Sequence, residues 1–223
     1  NGMAIGFVYA LIGIEEGVDP SPGEALAILG VAVLLGTLFV VWGGPNDFFD
    51  NPASTESLTN LATTISQLYA AGARRFLVPN MPDLTLTPEG RALPTDLALL
   101  ARALVMLFNA GLDSTLDTLE ATLPGIDITR FDTFALLTAV AMDPTAFGFT
   151  NVSDACLDIN TATLCGDPST YVFWDSIHPT TAAHRVLGNA FARAVPEPGA
   201  LSLLLVAGVI GFRAQRRRTG RQG

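Results

Sequence analysis

Lysine is absent from this chain, and its 12 basic residues are all arginines, set against 21 acidic residues. The formal net charge of −9 is unevenly spread. Five arginines (Arg213, Arg216, Arg217, Arg218 and Arg221) crowd the last eleven residues, so the body up to Val195 holds 7 arginines and 20 acidic residues. Phosphate backbones attract basic surfaces, and this body therefore argues against nucleic acid as a partner. Histidine is scarce, with His178 and His184 only, and cysteine is limited to Cys156 and Cys165. No Cys/His or His/His spacing suggests a metal site. Chemistry that needs an imidazole falls on one of two residues. His184 lies inside a helical pattern and reads as a packing or surface residue.

His178 stands in the stretch Asp175-Ser176-Ile177-His178-Pro179-Thr180. A carboxylate three residues before a histidine can fix the imidazole tautomer and leave the second ring nitrogen free as a base. Pro179 biases His178 away from the α region. Tyr171 to Trp174 reads as a short buried strand, and Thr180 to Ala194 reads as a helix. The Asp and His thus fall where open α/β sheets place their sites, beyond the carboxyl end of a strand. A helix cap or local turn with a stray histidine fits the same residues.

A second strand run, Thr37 to Trp42, leads into Gly43-Gly44-Pro45-Asn46-Asp47-Phe48-Phe49. Glycines at a strand end let the backbone turn sharply and approach a ligand closely. The Asn46 amide can donate to an oxyanion. The bland reading is a glycine turn with Asn or Asp opening a helix. The expected sheet places this loop and the Asp-His loop on one edge.

Together the two stretches resemble the SGNH/GDSL hydrolase family, in its secreted bacterial esterase and lipase branch. Gly44-Pro45-Asn46-Asp47 is similar to the family's third block, and Asp175 to Pro179 to its fifth. Arg75 to Asn80, Phe147 to Asn151 and Tyr171 to Thr181 extend the likeness, which runs from about Thr37 to Ala194. The resemblance implies a three-layer α/β/α sandwich with a mostly parallel sheet. It implies ester hydrolysis by a Ser-His-Asp triad without a cofactor, on a small-molecule, lipid or sugar ester. On it His178 is the base, Asp175 its orienting partner and Asn46 an oxyanion donor, with Gly44 and Asp47 shaping the loop. The second-block oxyanion glycine has Gly6 as its candidate, in a remnant over Asn1 to Gly13. The family's nucleophile belongs to a Gly-Asp-Ser block ahead of the others, and no Gly-Asp-Ser occurs here. The chain starts at Asn1, so the first strand and its serine are expected upstream. Ser54, Ser57 and Ser176 lie outside the block the family uses. A non-catalytic cell-surface or matrix protein that keeps the scaffold is the alternative. A carbohydrate-binding module needs accessible aromatics, and Trp42 and Trp174 both read as core-strand residues.

The last residues read as a separate module. Val195-Pro196-Glu197-Pro198 ends the domain with two helix breakers, an uncharged apolar run follows from Gly199 to Phe212, and the arginines close it. This order resembles the PEP-CTERM sorting signal of exported bacterial proteins. It implies an exosortase-type partner, transient membrane anchoring with the arginines on the cytoplasmic side, and a final place at the cell surface or outside. The run is shorter than the ~20 residues of a stable span. The domain is expected over 1–194 and the tail over 195–223. In an exported chain, two cysteines at close spacing suggest one local disulfide, Cys156–Cys165; two free thiols are the alternative.

Between these motifs strands and helices alternate, as a parallel sheet covered on both faces requires. Helices are expected over Gly23–Leu35, Thr55–Ala71 and Thr95–Leu119, with a strand over Arg75–Val78. Ile128–Phe134 reads as a strand or an extended link. Ala25 to Trp42 carries no charge and is long enough to propose a membrane span, although Gly30 and Gly36 interrupt it.

Overall fold

The computed structural model describes residues 5–7, 37–159 and 161–195. The expected helix at Gly23–Leu35 and the tail beyond Val195 lie outside them. The chain forms β1 (Ile5–Phe7), β2 (Leu38–Val40), α1 (Pro45–Asp50), α2 (Glu56–Ala70), β3 (Arg75–Pro79), α3 (Pro88–Arg91) and α4 (Thr95–Thr122). It continues through β4 (Asp127–Phe131), α5 (Thr133–Met142), β5 (Asn151–Ala155), β6 (Leu157–Asp158), β7 (Thr163–Leu164), β8 (Tyr171–Phe173) and α6 (Thr181–Ala194).

The main sheet has the order β1-β2-β3-β4. β2, β3 and β4 are parallel, with Leu38 opposite Arg75 and Arg75 opposite Asp127, while β1 runs antiparallel to β2. The near-continuous apolar run of β3 reflects burial on both faces. Phe39, Phe76 and Ile128 lie side by side in register and join the core that α2 and α4 close. That core takes Leu61 and Ile65 from α2 and Val105, Phe108, Leu112, Leu116 and Leu119 from α4, at helical spacing. α4 is long and apolar enough to cross a membrane by length and composition, yet this stripe faces the core. α6 lies against the opposite face, where Phe191 meets Phe131 and Trp42 edge-on at 4.7 and 6.2 Å. The fold is thus α/β, with helices on both faces of a mostly parallel sheet.

Two expectations are corrected. β8 does not join the main sheet among the described residues; it pairs in parallel with β5 in a sheet of two. The strand also stops at Phe173, and Trp174 is 37% exposed, not a core residue. A four-residue apolar run carries no mark of its partner strand, and its last residue serves the turn that follows.

Candidate active site

Asp175 and His178 sit on a loop that its own backbone closes. The Trp174 N–H donates to the His178 carbonyl (2.7 Å), and Thr180 N–H donates to Val172 O (2.8 Å). The loop is clamped from outside by α3. Glu89 N–H donates to Ser176 O (3.0 Å), and the Ser176 hydroxyl donates to Glu89 Oε2 (3.1 Å). α3 reaches this position because Thr87 caps it and Pro88 opens it. Gly90 is obligatory there, since a Cβ would lie 2.1 Å from Leu84 O.

Within the loop one carboxylate gathers three donors. Asp175 Oδ1 accepts from the N–H groups of Ile177 (2.9 Å) and His178 (2.7 Å). The His178 ring Nδ1 lies 2.8 Å from Asp175 Oδ2 and 3.0 Å from Oδ1. Partial burial works to raise the Asp175 pKa, but these backbone donors and the imidazole outweigh it and hold the pKa below the ordinary carboxylate value. An ionised carboxylate only accepts, so Nδ1 carries the hydrogen, and in the neutral imidazole that tautomer leaves the lone pair on Nε2. The His178 side chain is 64% exposed, which leaves Nε2 open to a reactant.

The second loop leaves β2 through Gly43 and Gly44. Gly44 has φ +110°, and a Cβ there would lie 2.6 Å from the Phe108 ring. Pro45 and Asn46 then start α1, and Asn46 is exposed. Asp47 turns to α2, where the buried Ser57 hydroxyl donates to its Oδ2 (2.6 Å). Ser57 and Ser176 thus have carboxylate partners, and the Ser54 hydroxyl oxygen accepts from Glu56 N–H. Gly6 lies in β1 opposite Phe39.

Although their strands belong to different sheets, the two loops meet. Asn46 and His178 line one cavity of about 220 Å³, walled by α5, α6, β8 and the turn at Leu84–Leu86. A hub outside both motifs fixes one wall. The Asn80 backbone carbonyl accepts from the Trp42 indole (3.1 Å) and from the Thr133 hydroxyl. Its side chain accepts from Phe134 N–H (3.1 Å) and donates to Asp132 (2.9 Å). Asn80 thereby ties the ends of β2 and β3 to the start of α5. Asn80 falls in a stretch that carries the family likeness, yet its bonding role is not marked in the sequence, and Glu89 is signalled only by the Thr-Pro-Glu helix start that precedes Gly90.

A family model for GDSL-like lipases and acylhydrolases matches residues 32–191, most of the chain and both loops. The chain belongs to the GDSL-like Lipase/Acylhydrolase family. It is similar to the thermolabile hemolysin of Vibrio parahaemolyticus serotype O3:K6 (strain RIMD 2210633), with 33% identity over 168 residues, 69% of this chain and 40% of the relative. The Arabidopsis thaliana GDSL esterase/lipase At1g73610 is 31% identical over 171 residues, 70% of this chain and 50% of the relative. GDSL esterase/lipase EXL3, also from Arabidopsis thaliana, is 29% identical over 178 residues, covering 73% and 48%. This GDSL chain therefore spans about half the length, or less, of these relatives. Its cysteines form the expected disulfide, Cys156–Cys165. The Cys156 and Leu157 N–H groups donate to Phe173 O and Trp174 O (3.1 and 2.7 Å), so the disulfide-closed hairpin β6–β7 borders the Asp-His loop.

Proposed function

We propose that this chain is part of an ester hydrolase that works through a Ser-His-Asp triad. The carrying observation is that His178, oriented by Asp175, opens on the same cavity as the Asn46 amide. The nucleophile is a serine of a Gly-Asp-Ser block upstream of Asn1. Its hydroxyl attacks the ester carbonyl as its proton passes to His178 Nε2. Asn46 donates to the oxyanion, a bond of the kind worth ~3 kcal/mol in the transition state; Gly6 is the candidate for a second donor. The tetrahedral adduct collapses, and the alcohol leaves with the proton from His178. Water then attacks the acyl-serine, giving its proton to His178, and the acid leaves as the serine regains that proton. Asp175 stabilises the imidazolium throughout.

In this reading residues 1–194 are the hydrolase domain, and 195–223 are a sorting tail for exosortase-type machinery at the membrane. The product is exported to the cell surface or beyond, as the disulfide supports. The second reading is a non-catalytic surface protein that keeps the same scaffold. The gene upstream of Asn1 separates the two: an in-frame Gly-Asp-Ser supports the hydrolase, and its absence supports the surface protein. In the full-length gene product, His178→Ala is expected to lower p-nitrophenyl butyrate turnover by ~10⁴-fold or more. Unchanged turnover in that variant overturns the triad.

A further inference from the structure

Support for His178 begins outside its own loop. The Ser176–Ile177 peptide is planar, so its carbonyl and its N–H turn as one unit. Its two ends have different partners. Ser176 O accepts from Glu89 N–H (3.0 Å), and Ile177 N–H donates to Asp175 Oδ1 (2.9 Å). Acceptance at the carbonyl polarises the same peptide's N–H and strengthens its bond to the carboxylate. Asp175 Oδ2 in turn lies 2.8 Å from His178 Nδ1. A single run of hydrogen bonds therefore leads from α3 to the imidazole.

The α3 end of this run is stiff. The first N–H groups of a helix have no partner inside it. Pro88 has none to offer, and that of Gly90 goes to the Thr87 hydroxyl (3.0 Å). The Glu89 N–H is left to reach across 87 positions to Ser176. Arg91 Nε donates to Leu86 O (3.0 Å) and ties α3 to the turn at Leu84–Leu86. The buried Asp83 holds that turn. It accepts from the Thr85 N–H and hydroxyl (3.2 and 2.6 Å) and pairs with Arg102. The Glu89 side chain adds a contact beside its backbone one, since Oε2 accepts from the Ser176 hydroxyl (3.1 Å). Two contacts on one residue fix direction as well as distance.

Resting on the triad reading above, we infer that Glu89 is a positioning residue for His178. It acts through Ser176 and Asp175, holding the Ile177 N–H on the carboxylate so that Asp175 Oδ2 keeps facing Nδ1. Loss of the Glu89 carboxylate frees the Ser176 peptide to turn and weakens the hold on Nδ1–H. The neutral ring then populates the tautomer with its hydrogen on Nε2, which cannot take a proton there.

The ring nitrogens of His178 report this by NMR in the chain itself, without catalysis, so its failure and the failure of the triad are told apart. With the ring neutral, Glu89→Ala and Ser176→Ala are each expected to raise the ratio of Nε2–H to Nδ1–H tautomer about fivefold, the equivalent of ~1 kcal/mol for one hydrogen bond. His184, the other imidazole, is the internal control and should not change. Amide exchange at Ile177 should quicken while exchange in β3 stays as in the parent. Glu89→Gln keeps an acceptor for the Ser176 hydroxyl and is expected to restore most of the parent ratio. In the full-length gene product, Glu89→Ala should lower kcat for p-nitrophenyl butyrate about fivefold and leave KM within about twofold. A shifted ratio without loss of kcat supports the positioning and counts against the triad. Should Glu89→Ala fail to fold, Ser176→Ala carries the same test. An unchanged His178 ratio, an equal change at His184, or a Glu89→Gln variant as altered as Glu89→Ala overturns the assignment.

Discussion

The half of the molecule built on the main sheet and the half built on β5 and β8 reach order by different routes. Among the described residues, fifteen buried apolar side chains around the sheet, from strands and helices, form one continuous core. Around β8 the described cluster has four buried members, too few to hold a loop rigid by packing alone. There the structure relies on directional bonds: the Asp175 carboxylate and its donors, the Glu89–Ser176 clamp and the disulfide at Cys156–Cys165. Asn46 comes from the packed half and His178 from the bonded half. Packing fixes where a loop leaves its strand, whereas hydrogen bonds fix the angle of a single side chain. An imidazole that must present one nitrogen needs the second kind of support.

The largest expected effect sharpens that contrast. Phe76→Ala, in the packed half, is expected to lower unfolding free energy by about 3–5 kcal/mol. Val172→Ala in the small cluster removes two methyl-sized groups and costs about 2 kcal/mol. Urea denaturation of both variants measures this, and a greater loss from Val172→Ala breaks the comparison. Next comes the disulfide, whose cysteines are nine residues apart. Replacing both by serine is expected to cost about 2–3 kcal/mol through the freed unfolded loop. Amide exchange should quicken at Cys156 and Leu157, which bond the strand leading to Asp175. Unaltered exchange there means that the hairpin does not support the loop.

The smallest effect is on pH. Asp175 is held below its ordinary pKa in the folded protein. Its contribution is therefore complete above the unfolded carboxylate value and lost as pH falls through the lowered folded value. Urea midpoints on the acid side should fall less steeply in Asp175→Asn than in the parent. Identical slopes would place the acid sensitivity elsewhere.

How much of this was legible in the sequence follows from the range of each interaction. Asp175 and His178 are three residues apart, so spacing alone brings them into reach, and the loop delivers that pair. The helices at Glu56–Ala70 and Thr95–Thr122 follow the apolar period that marks them. β4 settles the choice left open at Ile128–Phe134 in favour of a strand. The Glu89–Ser176 bond spans 87 positions and the Asn80–Thr133 bond 53, and no local pattern announces partners so far apart. The pairing of β8 with β5 was hidden for the same reason. Tyr-Val-Phe is apolar enough for any buried strand, and only the assembled neighbours decide which one it meets.

The cavity's walls are drawn from opposite ends of the described chain. Trp42, Pro45 and Asn46 come early, and Ala183, Val186 and Leu187 come from the last described helix. A chain emerging from the ribosome can pack its sheet against α2 and α4 well before α6 exists, as larger proteins tend to order segment by segment. Until that final helix settles through Phe191 onto Trp42 and Phe131, there is half a wall and no enclosure. The cavity is thus among the last features of the described residues to form during synthesis, after the scaffold that carries it.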